Sequence, residues 1–415
     1  MHAGPISRTY RRYALGLLLA VNLLNYIDRQ VLFAVFPLIK TDLQLSDTAL
    51  GLLGSAFMFV YLFCAPFFGW LGDHWSRTRL ASGGLVVWSL ATTLAGLSTG
   101  YQSLLAARAT VGIGEASFGT VSPGLITDFF PKEQRSRILA WFYVAIPVGS
   151  ALGYILGGVL GQRYGWHAAF MLVGLPGLLL AIPLFVLRTP SRGNAEAASL
   201  SRHSMRDATA EYVALFSNRS FVWNTLAMAA MTFAIGGLAQ WLPSFLHRIH
   251  AVDLVKGNTL FGATTVLAGI LGTLAGGWLG DYWQKRSGKG HLLLSGWGFL
   301  IGTPFAVWAI LAPGLVSCMT AIFLAEFFLF LNTGPLNTVI LNVTSPAIHS
   351  MAFAMNIFFI HALGDAVSPF IVGWLSDQWS LRSALLITPL AMVLAGVFCF
   401  AGSRFVVHDM AKAGP

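Results

Sequence analysis

The sequence predicts an all-α membrane protein of twelve spanning helices, built as two six-helix halves with inverted three-helix repeats. Three observations lead there. The 415-residue chain is 56% hydrophobic and only 10% charged, with a mean hydropathy of +0.71; a soluble chain carries roughly 25% charged residues. Apolar runs follow one another from end to end, each long enough to cross a hydrocarbon core of about 30 Å. A seven-residue string also returns at nearly even intervals.

In order, spans are read at 13–39, 48–72, 79–98, 102–128, 137–161 and 167–187, then at 221–246, 257–281, 291–312, 315–344, 350–375 and 382–402. Span 1 is too long for the roughly 7–15-residue core of a cleaved signal, and it holds Asp28 and Arg29. It is expected to stay. Residues 1–187 then form an N-terminal bundle, 188–220 a polar linker and 221–415 a C-terminal bundle. The linker is rich in Arg, Ser and Ala and partly amphipathic around 205–216. Prolines 66, 123, 147, 243, 304, 335 and 369 fall inside apolar runs and are expected to bend helices. Cys64, Cys318 and Cys399 show no metal or redox spacing and read as small buried hydrophobes.

The net charge of +9 is a topology signal and does not point to nucleic acid. Of the 25 Lys and Arg, eighteen fall on one side of the predicted membrane and five on the other; Arg29 and Arg108 lie within it. The positive-inside rule then places both termini in the cytoplasm, in a bacterial inner membrane.

The recurring string is GWLGDHW at 69–75, GWLGDYW at 277–283 and GWLSDQW at 373–379, with a degraded copy, GVLGQRY, at 158–164. Each copy ends the second helix of a three-helix group. Apart from the interval containing the linker, the period is close to 90 residues. Successive triplets must enter from opposite sides, the pattern of nested inverted repeats in secondary transporters. Small residues every fourth position allow close helix approach. Gly149, Gly153, Gly157 and Gly161 in span 5 and Gly272, Gly276 and Gly280 in span 8 form such stripes, expected to face each other across the interface between the halves, with packing inside one half as the alternative.

Twelve spans with Gly69, Leu71, Asp73, Ser76, Arg77 and Arg79 between spans 2 and 3 resemble the major facilitator superfamily. More narrowly, NYIDR at 25–29, GLLGSAFMFVYLFCAPFFGWLGD at 51–73, WSLAT at 88–92 and RATVGIGEAS at 108–117 are similar to the Spinster branch, transporters of sphingolipids and lysolipids. The match is dense over about residues 20–170. The resemblance implies that spans 1 and 4 line a central cavity. It also implies that Gly69, Asp73, Arg77 and Arg79, with Asp281 as the counterpart acid, form a conformational latch. Solvated surface charge is the plainer reading of those groups.

Ionised groups at bilayer depth cost about 2.5–3.5 kcal/mol each on insertion scales and persist mostly where they serve a pathway. Span 1 aligns Asn22, Asn25 and Arg29, with Asp28 at the stripe's edge, and span 4 aligns Arg108, Gly112 and Glu115. With spans 1 and 4 both lining the cavity, as the resemblance implies, Asp28, Arg29, Arg108 and Glu115 are expected to form one cluster of zero formal charge. Two readings stand. The arginines hold the carboxylates and tie the two helices together, or the carboxylates trade protons while a released guanidinium takes an anionic headgroup. On the second reading Glu115 is the first proton candidate and Asp28 the second; Arg29 is the headgroup contact, and Asp28 restrains it or shares the proton. In the second half, Glu326 is either a second cavity carboxylate or a buried neutral acid, with Thr333 and Asn337 on its side of span 10. His361 and Asp365 are either a proton relay or an interhelical structural pair.

The function expected is secondary active transport by alternating access, proton-coupled, of an amphipathic lipid-like substrate, the protein acting as a monomer in the bilayer without a cofactor. A proton-linked carrier of a small organic anion or drug is the alternative. An enzyme would need a nucleophile–base set or metal ligands; no HExxH, GxSxG or Cys/His cluster is found. A non-transporting receptor would be expected to carry a signalling domain or long tail.

Overall fold

The computed structural model describes residues 7–130, 132–189, 215–345 and 348–413. Every regular element among them is helical: α1 (Arg8–Ala34), α2 (Phe36–Asp42), α3 (Asp47–His74), α4 (Arg77–Ala95), α5 (Tyr101–Phe129), α6 (Lys132–Phe185), α7 (Arg219–His250), α8 (Leu254–Ser287), α9 (Gly290–Leu311), α10 (Leu315–Phe330), α11 (Thr333–Val343), α12 (His349–Ile360), a π-helical turn (His361–Asp365), α13 (Ser368–Gln378), α14 (Leu381–Leu385), α15 (Ile387–Ser403) and α16 (Val406–Ala413). The linker stretch 190–214, and with it most of the expected amphipathic segment, lies outside the described residues.

Among the described residues, nine helical stretches are long and apolar enough to cross a membrane. One of them lies within α6, whose 54 residues would run about 80 Å at 1.5 Å per residue. It is two spans turned at Gly165, whose φ of 83° is a conformation that only glycine adopts at little cost. The two spans missing from the nine are α4 and α5. They fall short of that composition because α4 starts on Arg77 and Arg79, while α5 carries Arg108, Glu115 and Asp128. Twelve spans result.

Local chemistry sets the helix starts. Ser7, Ser46 and Ser76 each accept a hydrogen bond from the backbone N–H three residues on, and Asn218 does the same for α7, satisfying donors that helix ends leave orphaned. The first turn of α7 also has a distant partner. Asp409 in α16 accepts from the Ser220 backbone N–H at 2.9 Å and from its hydroxyl at 2.7 Å. Prolines 66, 123, 147, 243 and 304 sit inside helices as expected. Pro335 and Pro369 instead stand in the first turns of α11 and α13, where a span restarts after a break; a missing N–H costs nothing there.

The chain divides into two units, Met1–Arg202 with Val252–Gly262, and His203–Ala251 with Ala263–Pro415. The start of α8 thus groups with the first unit, whereas the sequence reading placed it in the second bundle. In the first unit α1 packs on α6, α3 on α5, and α4 on α5 and α6. In the second, α9 packs on α10 and α15, and α7 on α15 and the π turn.

The glycine stripes correct an expectation. A methyl group built on Gly149 would lie 2.8 Å from the Leu23 carbonyl oxygen, and one on Gly153 2.6 Å from that of Ile27. Gly157 and Gly161 meet Val31, Ala34 and Val35. This stripe therefore seats α6 on α1 inside the first unit. Gly272 and Gly276 face the backbone of Phe327 and Leu331, and Gly280 faces His291 and Pro335, all inside the second unit. The stripes serve backbone contact within a bundle, where two helices must approach most closely. The neighbouring positions Ala151, Tyr154 and Gly158 are the ones that touch Phe261, Gly262 and Asn258 at the start of α8.

Gly153→Ala and Gly276→Ala are expected to destabilise the protein by about 1–3 kcal/mol each, the usual cost of overpacking. Nothing lies within 4 Å of a methyl group on Gly69 or Gly277, both inside helices, so Gly69→Ala and Gly277→Ala should leave stability unchanged or raise it by up to about 1 kcal/mol. Thermal unfolding in detergent separates the two pairs.

Candidate functional site

The site grows from α1, where Asp28 and Arg29 are neighbours in sequence. Consecutive helical residues point about 100° apart and do not face each other. The two side chains accordingly part. Arg29 Nε donates to Glu115 Oε2 at 2.6 Å. Asp28 accepts from the Thr92 hydroxyl on α4 through Oδ2 at 2.5 Å, and its Oδ1 lies 3.6 Å from Arg108 NH1. The expectation that Asp28 restrains Arg29 is thereby corrected: Glu115 holds Arg29, and Asp28 faces Arg108.

All four groups belong to the first unit, as expected for one neutral cluster. Asp28, Arg108 and Glu115 are at most 1% exposed, Asn25 is buried beside them, and Arg29 alone is partly open, at 18%. None of the three guanidinium nitrogens of Arg108 makes a hydrogen bond among the described residues; Asp28 Oδ1 and Glu115 Oε1 are likewise without one. Such groups are expensive to bury unpaired. Arg29 is further held by aromatic faces, its guanidinium carbon lying 5.0, 5.1 and 5.2 Å from the ring centres of Tyr26, Phe57 and Tyr61. Phe57 also faces Arg108 at 5.4 Å, so one ring serves both cations.

Two glycines of α5 set the depth of Glu115. A methyl on Gly112 would lie 2.5 Å from the Phe57 carbonyl oxygen on α3, and one on Gly114 2.6 Å from that of Gly84 on α4. These contacts draw α5 against both neighbours. They bring Glu115 and Arg108 within reach of α1, whose Asn22 is anchored elsewhere, donating to the Phe142 carbonyl at 2.8 Å.

The second unit holds a sparser set. Glu326 is buried and accepts from Thr265 at 3.0 Å. Thr333 and Asn337 lie beyond a short interruption of the helix between Phe330 and Thr333. Asn337 bonds within its own helix, to the Thr333 carbonyl. His361 Nδ1 lies 2.8 Å from Asp365 Oδ1. Both residues occupy one π turn, so the pair is not interhelical. Just after the first copy of the recurring string, Arg77 pairs with both oxygens of Asp128 at 3.1 Å, inside the first unit. Arg79 and Asp281 are exposed, Gly69 has no close neighbour, and the Asp73 side chain lies outside the described residues.

A family model described as the Major Facilitator Superfamily matches residues 18–360. Protein spinster homolog 1 of Xenopus tropicalis is 35% identical over 434 residues, covering 96% of this chain and 81% of that protein. The chain belongs to the Spinster branch of the major facilitator superfamily. Sphingosine-1-phosphate transporter SPNS2 of Mus musculus is 33% identical over 422 residues, covering 94% and 77%. A crystal structure of a bacterial homolog to the human lysosomal transporter Spinster, in an inward-facing and unoccupied conformation, superposes with a TM-score of 0.87 over 97% of this chain and 99% of that one, at 24% identity. The fold is therefore that of a major facilitator transporter, and the chain is a membrane transporter of that family.

Within this Spinster-family site, sequence reasoning missed Thr92, Tyr26, Phe57, Tyr61 and Asp128. The first four lie inside the strings that carry the family resemblance, or directly within NYIDR. Their polar or aromatic character among small and aliphatic neighbours was the available signal.

Removing one partner of a buried ion pair typically costs about 3–5 kcal/mol. Arg29→Ala is expected to fall in that range, because it leaves Glu115 buried and unpaired. Adding Glu115→Gln to Arg29→Ala should restore part of the loss. A double-mutant cycle on thermal stability measures the coupling; strict additivity would mean that the two groups do not interact.

Proposed function

We propose that this Spinster-family transporter works by alternating access, is proton-coupled, and carries an amphipathic lipid with an anionic headgroup, of the sphingolipid or lysolipid type. The observation that carries the reading is the Arg29–Glu115 pair, a partly open guanidinium whose one acidic hydrogen-bond partner is fully buried. An ionised Glu115 and an anionic headgroup compete for the same planar fork. A proton on Glu115 removes the competitor and frees Arg29 for phosphate. Arg108, whose donors lack hydrogen-bond partners, and Asp28 form the second pair of the same balance. Phe57, Tyr26 and Tyr61 give the cation an aromatic surround compatible with the apolar part of a lipid. The relative named as a sphingosine-1-phosphate transporter supports this substrate class.

Further parts of the reading concern setting. The two bodies move as the bundles 1–187 and 221–415, joined by a cytoplasmic linker, and both termini are cytoplasmic. A bacterial inner membrane houses the protein, which acts as a monomer. The latch groups Asp73, Arg77 and Arg79, with Asp281, act at the cytoplasmic ends of spans 2 and 8. Arg77 joins Asp128 as one state of such a latch.

Binding of lysophosphatidylglycerol provides the test, since its phosphodiester keeps one negative charge between about pH 5 and 8. Wild-type protein should bind it more tightly as pH falls, and Glu115→Gln should bind it with no pH dependence. In proteoliposomes, lysolipid uptake should respond to an imposed pH gradient in wild type and not in Glu115→Gln. Uptake indifferent to the gradient in both proteins would sink the coupling. Tighter binding of short organic anions than of lysolipids would shift the substrate to the small-anion class.

A further inference from the structure

A cavity of about 430 Å³ opens at the ends of α7 and α15, in the second unit. Phe216, Val222, Trp223 and Phe405 line it, and Arg219 and Arg404 stand at it. Arg219 is the first residue of α7, and Arg404 directly follows α15. Both belong to the side of the membrane that collects eighteen of the 25 basic residues, the cytoplasmic side by the positive-inside rule.

Both arginines are exposed, and neither makes an ion pair among the described residues. The acid that α16 brings to this end of α7, Asp409, is engaged by Ser220 and is itself buried. The Arg219 guanidinium carbon lies 5.1 Å from the Phe405 ring centre. That contact orients the cation over the apolar lining and leaves its in-plane donors available. Among the described residues no acid is paired with either of the two cations, which would repel each other less with an anion present. A topology signal needs only charge on this side; it does not need an apolar hollow between two guanidinium groups. The combination matches one kind of partner, a molecule with an anionic head and an apolar body that reaches this depth from the bilayer.

We propose that this cavity binds an anionic phospholipid of the cytoplasmic leaflet. The phosphate lies between Arg219 and Arg404, and the start of an acyl chain lies along Trp223, Val222 and Phe405. The volume is within the roughly 300–1,000 Å³ usual for small-ligand pockets, and basic pockets between spanning helices on the cytoplasmic side are recognised seats for anionic lipid headgroups. The bound lipid bridges the first turn of α7 and the end of α15. The site is separate from the Arg29–Glu115 cluster, in a different unit, and does not depend on the transport reading.

Full-length protein in a neutral detergent is titrated with phosphatidylglycerol, phosphatidylcholine or glycerol 3-phosphate, with thermal unfolding and native mass spectrometry as readouts. Phosphatidylglycerol should stabilise the wild type and remain bound; the other two should not. A basic residue near the membrane surface contributes about a fivefold gain in affinity for anionic lipid. Arg219→Gln with Arg404→Gln should therefore weaken binding by roughly twenty-five-fold, on the same basis. Arg219→Lys with Arg404→Lys should keep most of it, which separates lost charge from a misfolded end of α7. Arg11→Gln with Arg12→Gln removes two basic residues elsewhere and should leave binding unchanged. Equal binding of phosphatidylglycerol by wild type and the Gln double variant overturns the proposal. So does an equal response to phosphatidylcholine, or stabilisation by glycerol 3-phosphate alone, which would mark a site for soluble anions.

Discussion

Four titratable groups buried in one bundle impose a single constraint: any charge they carry must be neutralised by a partner close at hand. The chain meets it by crossing the pairs. Arg29 goes to Glu115 at 2.6 Å, and Asp28 goes to Thr92 and toward Arg108. Spans 1, 3 and 4 are tied together by these contacts, and span 2 supplies Phe57 and Tyr61 against the cations. At an effective dielectric of about 20, a pair of unit charges near 4 Å apart interacts by about 4 kcal/mol. That is comparable with the insertion cost of a charge at bilayer depth, about 2.5–3.5 kcal/mol. Two charges cost about twice that, roughly 5–7 kcal/mol, so their mutual attraction offsets most of the cost of burying them, and neither group is left without its partner cheaply.

Backbone proximity makes the crossing possible. Gly112 and Gly114 sit three and one residues before Glu115 and admit the backbones of α3 and α4. Gly149, Gly153 and Gly157 admit that of α1. Without a hydrophobic driving force between helices inside lipid, close packing of this kind is what holds a bundle together. The same glycines therefore build the scaffold and set the reach of the charged side chains. The pairing of the charged groups and the helix packing are one property of the chain.

Much of this could be read from the residues beforehand. The number of spans followed from apolar length and from the fourfold string, and the membership of the Asp28, Arg29, Arg108 and Glu115 cluster followed from helical spacing together with the family resemblance, which sets spans 1 and 4 on one cavity. The pairing inside the cluster did not follow, because spacing fixes which face a residue occupies and says little about which of two acids a guanidinium reaches. Thr92 decided it, from a third helix. The glycine stripes were seen and assigned the wrong partner: periodicity reveals a face made for close approach, and the neighbour is chosen by the packing of the whole bundle. Spans 10 and 11 are interrupted at Phe330–Thr333 and at the π turn His361–Asp365; apolar length alone does not reveal where a helix stops and restarts.

The contact between Asp409 and Ser220 bears on how the molecule is made. In the first unit, Ser7, Ser46 and Ser76 cap their own helices from within a few residues, so each start is complete as soon as it is synthesised. The first turn of α7 receives its carboxylate from 189 residues further along. A carboxylate at a helix N-terminus also complements the helix dipole. The Ser220 N–H and hydroxyl of α7 therefore gain this partner only after α16 has been made and docked. Until then they are lent to water, while the local Asn218 cap is in place from the start.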